Sequence, residues 1–307
     1  MPPTHGNILI GTTSWTDKTL VESGLFYPGA AKTSEARLRY YARRFPIVEV
    51  DSSYYGMPSE HNSTLWVTRT PEGFVFDIKA FRLFTGHQTS PAALPADIRK
   101  ALGTIDNKNI YYRDVPEDAR EELWRRFRLS LDPLGRAGKL GVVVFQFPPW
   151  FVFGRTNLAH ILECTEKLHG SPIAVEFRNK TWLEERHRAE VLAFQRENAL
   201  AHVVVDEPQG FGSSIPTVWE VTSPEVAVVR LHGRNRETWA KKGLTAAQRF
   251  NYFYGESELQ EFVTPIKTLS SGAVRVHVLF NNCYRDYAQR NATDLRHLID
   301  QCTEMRV

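Results

Sequence analysis

The stretch Val226–Asn235 reads VAVVRLHGRN. It opens as a buried strand and ends with Arg230, His232 and Arg234 on alternate positions. Parallel strands covered on both faces normally read as unbroken runs of Val, Ile and Leu. Four other runs share the departure: IVEVDSSYY (47–55) with Glu49 and Asp51, FVFDIKA (74–80) with Asp77 and Lys79, PIAVEFRN (172–179) with Glu176 and Arg178, and AHVVVDEP (201–208) with Asp206. Unpaired charge in a dry core is prohibitively costly, so these groups must meet one another, water or a ligand. Charge near the C-terminal ends of five separate strands implies one polar site built jointly by them.

Three further runs of strand character, ILIGTTSW (8–15), LGVVVFQF (140–147) and VRVHVLFNN (274–282), bring the count to eight. Helical periodicity lies between most of them. Leu38, Tyr41 and Phe45 share a face, as do Leu123, Phe127, Leu131 and Leu134, then Leu259, Phe262, Val263 and Ile266, and finally Leu295, Leu298, Ile299 and Cys302. Eight strands alternating with helices predict an α/β fold, a (β/α)8 TIM-type barrel. An open doubly wound sheet would carry a glycine-rich first turn, and GTTSWT is not G-x-G-x-x-G. Two connections are long, Phe81 to Glu117 after the third strand and Asn235 to Gly255 after the seventh. Both leave the ends where barrel enzymes keep their substrate loops. Nothing reads as a linker or repeat, so residues 1–307 are expected to form a single domain.

Composition narrows the partners. The 307 residues are 42% hydrophobic and 24% charged, with net charge +3. The 38 basic residues are nearly balanced by 35 acidic ones, so no basic stripe demands nucleic acid. No apolar run approaches membrane-spanning length, and the start MPPTHGNILIGTTSW lacks signal-peptide character. Three widely spaced cysteines, Cys164, Cys283 and Cys302, suggest reduced thiols and a cytoplasmic protein.

Alternation along a strand places Glu49 with Asp51, Asp77 with Lys79, Glu176 with Arg178, and Arg230 with His232 and Arg234 on common faces. Because the helix-facing side has little room for charge, all are expected to point toward the barrel axis. Glu49, Glu176, Asp206 and His232 are the acid–base candidates. Of these, Glu49 is the better base, because Glu176 is two residues from Arg178 and reads as a held pair. Lys79, Arg178, Arg230 and Arg234 suit phosphate or carboxylate, or else neutralise the strand carboxylates. The carboxylates and His232 could bind a divalent metal, but no H-x-H or H-E-x-x-H spacing supports one and the cations would repel it. No metal or organic cofactor is therefore expected. Asn281 and Asn282, at the end of the last strand, suit substrate hydroxyls or a helix cap. Trp15, Tyr54 and Trp239 are the aromatic residues expected to face a ligand, and Cys283 is expected to be an inert thiol.

The blocks GTTSW, FYPG, YYARRFPIVEVDSSYYGMPSE, TPEGFVFDIKAFR, FQFPP, AVEFRNKTW, VVVDEP, VRLHGRN and LFNNCYRDYAQRNATDL occur in that order. Together, over Ile8 to Leu298, the chain resembles the YecE-like family, domain of unknown function 72. The resemblance implies a TIM-type barrel and carries no established activity. It implies site roles for the matching positions Glu49, Lys79, Gln146, Glu176, Arg178, Arg230, His232, Asn281 and Asn282. The chain departs from the family pattern at Thr13-Ser14-Trp15, at Asp51, at Glu22-Ser23-Gly24-Leu25 and at Cys283, where many members carry histidine. No role for a histidine at 283 carries over.

The expectation is an enzyme acting by acid–base chemistry on a small anionic or hydroxyl-rich, phosphate- or sugar-like substrate at the C-terminal mouth of the barrel. Two alternatives are a nucleic-acid binding or processing protein similar to endonuclease-four-type barrels, metal-assisted or not, and a non-catalytic binding scaffold.

Overall fold

The computed structural model describes residues 6–103 and 108–304. Eight strands form a closed parallel barrel in chain order: β1 (Ile8–Thr12), β2 (Ile47–Val50), β3 (Val75–Lys79), β4 (Leu140–Gln146), β5 (Ile173–Glu176), β6 (Ala201–Asp206), β7 (Val226–Leu231) and β8 (Arg275–Phe280). Closure is made by β1 on β8, from Ile8 opposite Val276 to Thr12 opposite Phe280.

The helices lie where the apolar periodicity puts them. Ser34–Ala42 is capped by the Thr33 hydroxyl and buries Leu38 and Tyr41. Glu117–Arg136 buries Leu123, Phe127, Leu131 and Leu134, and Glu256–Gly272 buries Leu259, Phe262, Val263 and Ile266. These faces and the outward strand residues form the main core between barrel and helices. A separate apolar plug of Leu9, Ile47, Val75 and Leu279 fills the barrel's interior. One connection departs from strict alternation. Residues 207–225, between β6 and β7, contain no helix. Extended chain takes its place, tied to β6 by Thr217 Oγ1 donating to Val205 O and by Thr222 Oγ1 donating to Leu200 O. The two long connections carry short helices, among them Ala96–Ala101 in the first and Arg236–Trp239 and Ala246–Arg249 in the second.

Two glycines are dictated by close approach. A Cβ on Gly11 would lie 2.1 Å from Ile47 O, and one on Gly141 would lie 2.1 Å from Asp77 Oδ1. Gly141 sits at the register shift between β3 and β4, where Phe76 faces Leu140 but Ile78 faces Val143. The extra residue takes Val142 N–H out of the ladder, and the buried Asp77 carboxylate accepts it at 2.9 Å. His277 Nδ1 contacts the same carboxylate at 3.0 Å. Asp77 thus serves the interior wall, well below the mouth. No helix among the described residues is long and apolar enough to cross a membrane.

Candidate active site

Arg230 is the hub of the interior. It is wholly buried, donates to Glu49 Oε1 at 2.6 Å and to Gln146 Oε1 at 3.2 Å, and pairs closely with Glu176. Arg178, at the end of β5, pairs with the other oxygen of Glu176 and donates to Glu207 Oε2 at 2.7 Å and to His232 Nε2 at 2.8 Å. The chain Glu49–Arg230–Glu176–Arg178–Glu207 therefore ties β2, β7, β5 and the end of β6 together. Arg178 Nη2 and Asn281 Nδ2 thus face the two ring nitrogens of His232, Nε2 and Nδ1. The Asn281 amide lies 2.7 Å from Nδ1, and Thr13 Oγ1 bonds the other end of that amide.

Burial and charge pull in opposite directions here. Burial is the strongest influence on Glu176, but Arg178, Arg230 and His232 together outweigh it and hold the carboxyl well below its usual range. For Glu49 burial wins over Arg230 and Lys79, pushing the pKa up to about 7. Glu207 is likewise raised by burial to about 7, against Arg178 and the Ile215 amide. Burial and then Arg178 push His232 down to about 3, so the ring is neutral. With Asp51 and Lys79 counted, four carboxylates face three permanent cations, and the two near pH 7 make up the difference with shared protons.

Above this network opens a cavity of about 470 Å³ at the C-terminal mouth. Lys79, Arg178, Gln146 and Asn281 line its floor, with Asp51, Tyr54, Trp239, Arg249 and Phe250 among its walls. Lys79 Nζ donates to Asp51 Oδ1 at 2.7 Å and lies 4.6 Å from the centre of the Tyr54 ring. The Arg178 guanidinium lies 5.6 Å from the Trp239 ring. Trp239 and Phe250 are brought in by the long connection after β7, whose neck is closed by Asn235 Nδ2 donating to Asn251 O.

The expected site residues therefore divide. Lys79, Gln146, Arg178, Asn281 and Tyr54 line the cavity; Glu49, Glu176, Arg230 and His232 lie buried beneath it. Four residues expected to point inward or face a ligand do not. Asp206 pairs with Leu231, while its neighbour Val205 pairs with Arg230, so Asp206 points into the helix layer. There it accepts from Tyr254 Oη at 2.7 Å and from Arg234 Nη2 at 2.9 Å. Arg234 also reaches Glu258 and Glu261, so both residues fasten the helix Glu256–Gly272 to the rim. Trp15 packs edge-on against Trp66 and Phe76 in the core. Asn282 donates to Tyr252 O and Asn291 Oδ1, anchoring the base of the long loop. The inward carboxylate of β6 is Glu207, which sequence reasoning missed along with Arg249 and Phe250. Cys283 lines the cavity, and burial and then Asp17 push its thiol up to about 12.

The family model described as "Protein of unknown function DUF72" matches residues 9–306. The chain belongs to the DUF72 family. As a DUF72 protein it is 33% identical to the UPF0759 protein YunF of Bacillus subtilis (strain 168) over 296 residues, 95% of each chain. A DUF72 family protein (EF0366) of Enterococcus faecalis V583 superposes with TM-score 0.77 at 27% identity, covering 95% of both chains. Another (TM1631), from Thermotoga maritima MSB8, superposes with TM-score 0.73 at 27% identity, covering 95% of this chain and 99% of that one. Fold and family agree with the resemblance read from the ordered sequence blocks. Among the described residues no group of three or more His, Cys, Asp or Glu is arranged to hold a metal ion.

Proposed function

We propose that this DUF72 barrel is an enzyme that binds a small, hydroxyl-bearing anion in the mouth cavity and acts on it by acid–base chemistry. The observation that carries the reading is the pair of cations on the cavity floor. Lys79 is held by Asp51 beside it, and Arg178 by Glu176 and Glu207 beneath it. Neither side chain needs to reorganise to meet a phosphate or carboxylate, which is the arrangement that stabilises developing charge best. Gln146, Asn281 and Thr13 offer amide and hydroxyl groups for substrate hydroxyls. Two carboxylates line the cavity; Asp17 Oδ1 caps Thr19 N–H and Leu20 N–H, so Asp51, in contact with Lys79, is the one that serves as base. Glu49, Glu176, Glu207, Arg230 and His232 are positioning residues, since they touch other side chains beneath the floor. Glu49 and Glu207, each raised by burial to about 7, take up protons as the anion enters, which offsets its charge.

The test is a thermal-shift and calorimetric survey of sugar phosphates and hydroxy acids. Wild-type protein and the variants Lys79→Met, Arg178→Lys and Arg234→Met are compared. A ligand that stabilises the wild type should bind at least tenfold more weakly to Lys79→Met and Arg178→Lys, and with unchanged affinity to Arg234→Met. Failure of every anion to bind, or full affinity in Lys79→Met, would overturn the proposal. Binding without turnover would leave a receptor site in place of an enzyme.

A further inference from the structure

Beside the mouth lies a second cavity of about 460 Å³, bordered by Trp150, Phe151, Tyr111, Gln88, Thr156 and Asn157. The two cavities adjoin. Pro149 lines the first and Trp150 the second, and Tyr54 of the first is linked to Trp150 through His87. The Tyr54 and His87 ring centres are 5.2 Å apart, and those of His87 and Trp150 are 5.7 Å apart, both edge-on. Burial, with Lys79 and Arg82 following, pushes His87 down to about 3, so the ring between the cavities is neutral. Thr85 Oγ1 engages its Nδ1 at 2.8 Å, which fixes the ring between the two aromatic side chains.

The second cavity has saccharide-binding chemistry. Trp150 is 55% exposed, so one large flat apolar face is open at this cavity. Around it stand groups that accept hydrogen bonds. Gln88 donates its amide N–H to Tyr111 Oη at 2.9 Å, and Asn157 donates to Val152 O at 2.7 Å. The carbonyl ends of both amides are therefore what they present to a ligand, and they match sugar hydroxyls. An indole face with convergent acceptors suits the C–H face and hydroxyl rim of a pyranose ring. The second cavity carries one permanent cation, Arg113, with Asp114 Oδ1 3.8 Å away, whereas Asp51, Lys79 and Arg178 stand together in the first.

We infer that the ligand is an acidic oligosaccharide. Its charged ring occupies the mouth, and a neighbouring ring crosses the His87 wall and lies on Trp150. The first half of this assignment rests on the function proposed above; the second rests on the adjoining cavity alone.

A glycan array of acidic mono- to tetrasaccharides, phosphorylated and uronate-bearing, tests it with wild type, Trp150→Ala and Lys79→Met. Trp150 is exposed, so its truncation leaves the fold intact. Chains of two or more rings should bind about tenfold more tightly than the matching single ring, and Trp150→Ala should remove that advantage while sparing single-ring binding. Single-ring binding with no gain from chain length, or a gain untouched in Trp150→Ala, would refute the subsite and leave the mouth proposal standing. Chain-length binding sensitive to Trp150 but indifferent to Lys79 would refute the mouth proposal and keep the subsite. No binding by any member would refute both.

Discussion

Replacing Glu49 by glutamine isolates what it costs to keep a carboxylate in the barrel's interior. Glu49 is fully buried, and its pKa rises from the ordinary 4.5 to about 7, chiefly through burial. A raised carboxyl contributes nothing unfavourable below about pH 4.5, where folded and unfolded chains both hold the proton. Between about 4.5 and 7 the unfolded chain ionises first, and stability falls as pH rises. Above 7 both forms are ionised and the penalty is constant. At about 1.4 kcal/mol per pH unit, the full penalty is about 3 kcal/mol. Between pH 5 and pH 8 it grows by about 2–3 kcal/mol. Glutamine keeps an oxygen for the 2.6 Å bond from Arg230 and cannot ionise. Its amide nitrogen falls where Glu49 Oε2 lies buried without a partner, a cost that does not vary with pH. Glu207, which titrates over the same interval, is present in both proteins and cancels. Urea denaturation at half-unit steps should therefore show Glu49→Gln gaining about 2–3 kcal/mol on the wild type between pH 5 and pH 8. A stability difference that stays flat across that range would mean that Glu49 titrates normally, and the account of the interior would fall with it.

Arg230→Met strips the shared cation from Glu49 and Glu176, and should destabilise the protein by about 3–5 kcal/mol at neutral pH. In Arg230→Met/Glu49→Gln the loss should be smaller than the single-variant costs combined, and additive urea midpoints would deny the coupling. Gly141→Ala forces a methyl group to within 2.1 Å of Asp77 Oδ1 and 2.7 Å of Val75 Cγ1, and should cost about 1–3 kcal/mol by the same assay. A neutral Gly141→Ala would show that the β3–β4 bulge yields easily.

The barrel was legible because its signals are local. Each strand is an apolar run long enough to stand out, and Leu38–Tyr41–Phe45 or Leu259–Phe262–Val263–Ile266 mark helices by spacing alone. The polar ends of β2, β3, β5 and β7 were legible for a related reason: charges two apart, such as Glu49 and Asp51 or Arg230 and His232, disclose which parity faces inward. β6 offered no such phase. Apart from His202, AHVVVDEP is apolar on both faces until Asp206 and Glu207 arrive together, and those two adjacent carboxylates do not say which of them turns inward.

That choice belongs to the closed cylinder. Pairing Val205 with Arg230 sends Glu207 to Arg178 and leaves Asp206 to Tyr254 and Arg234 on the outside. The same register carries Arg234 past the interior, although its spacing from Arg230 and His232 pointed in. Linear order was enough for the elements, their succession and the charge at their ends, since propensity and periodicity act over a few residues. Which charge meets which, which stays dry and which lines the cavity depended on strands brought together from distant parts of the chain. Neutralising a buried ion is a property of the pair, and the partners of Arg230 lie 181 and 54 residues away.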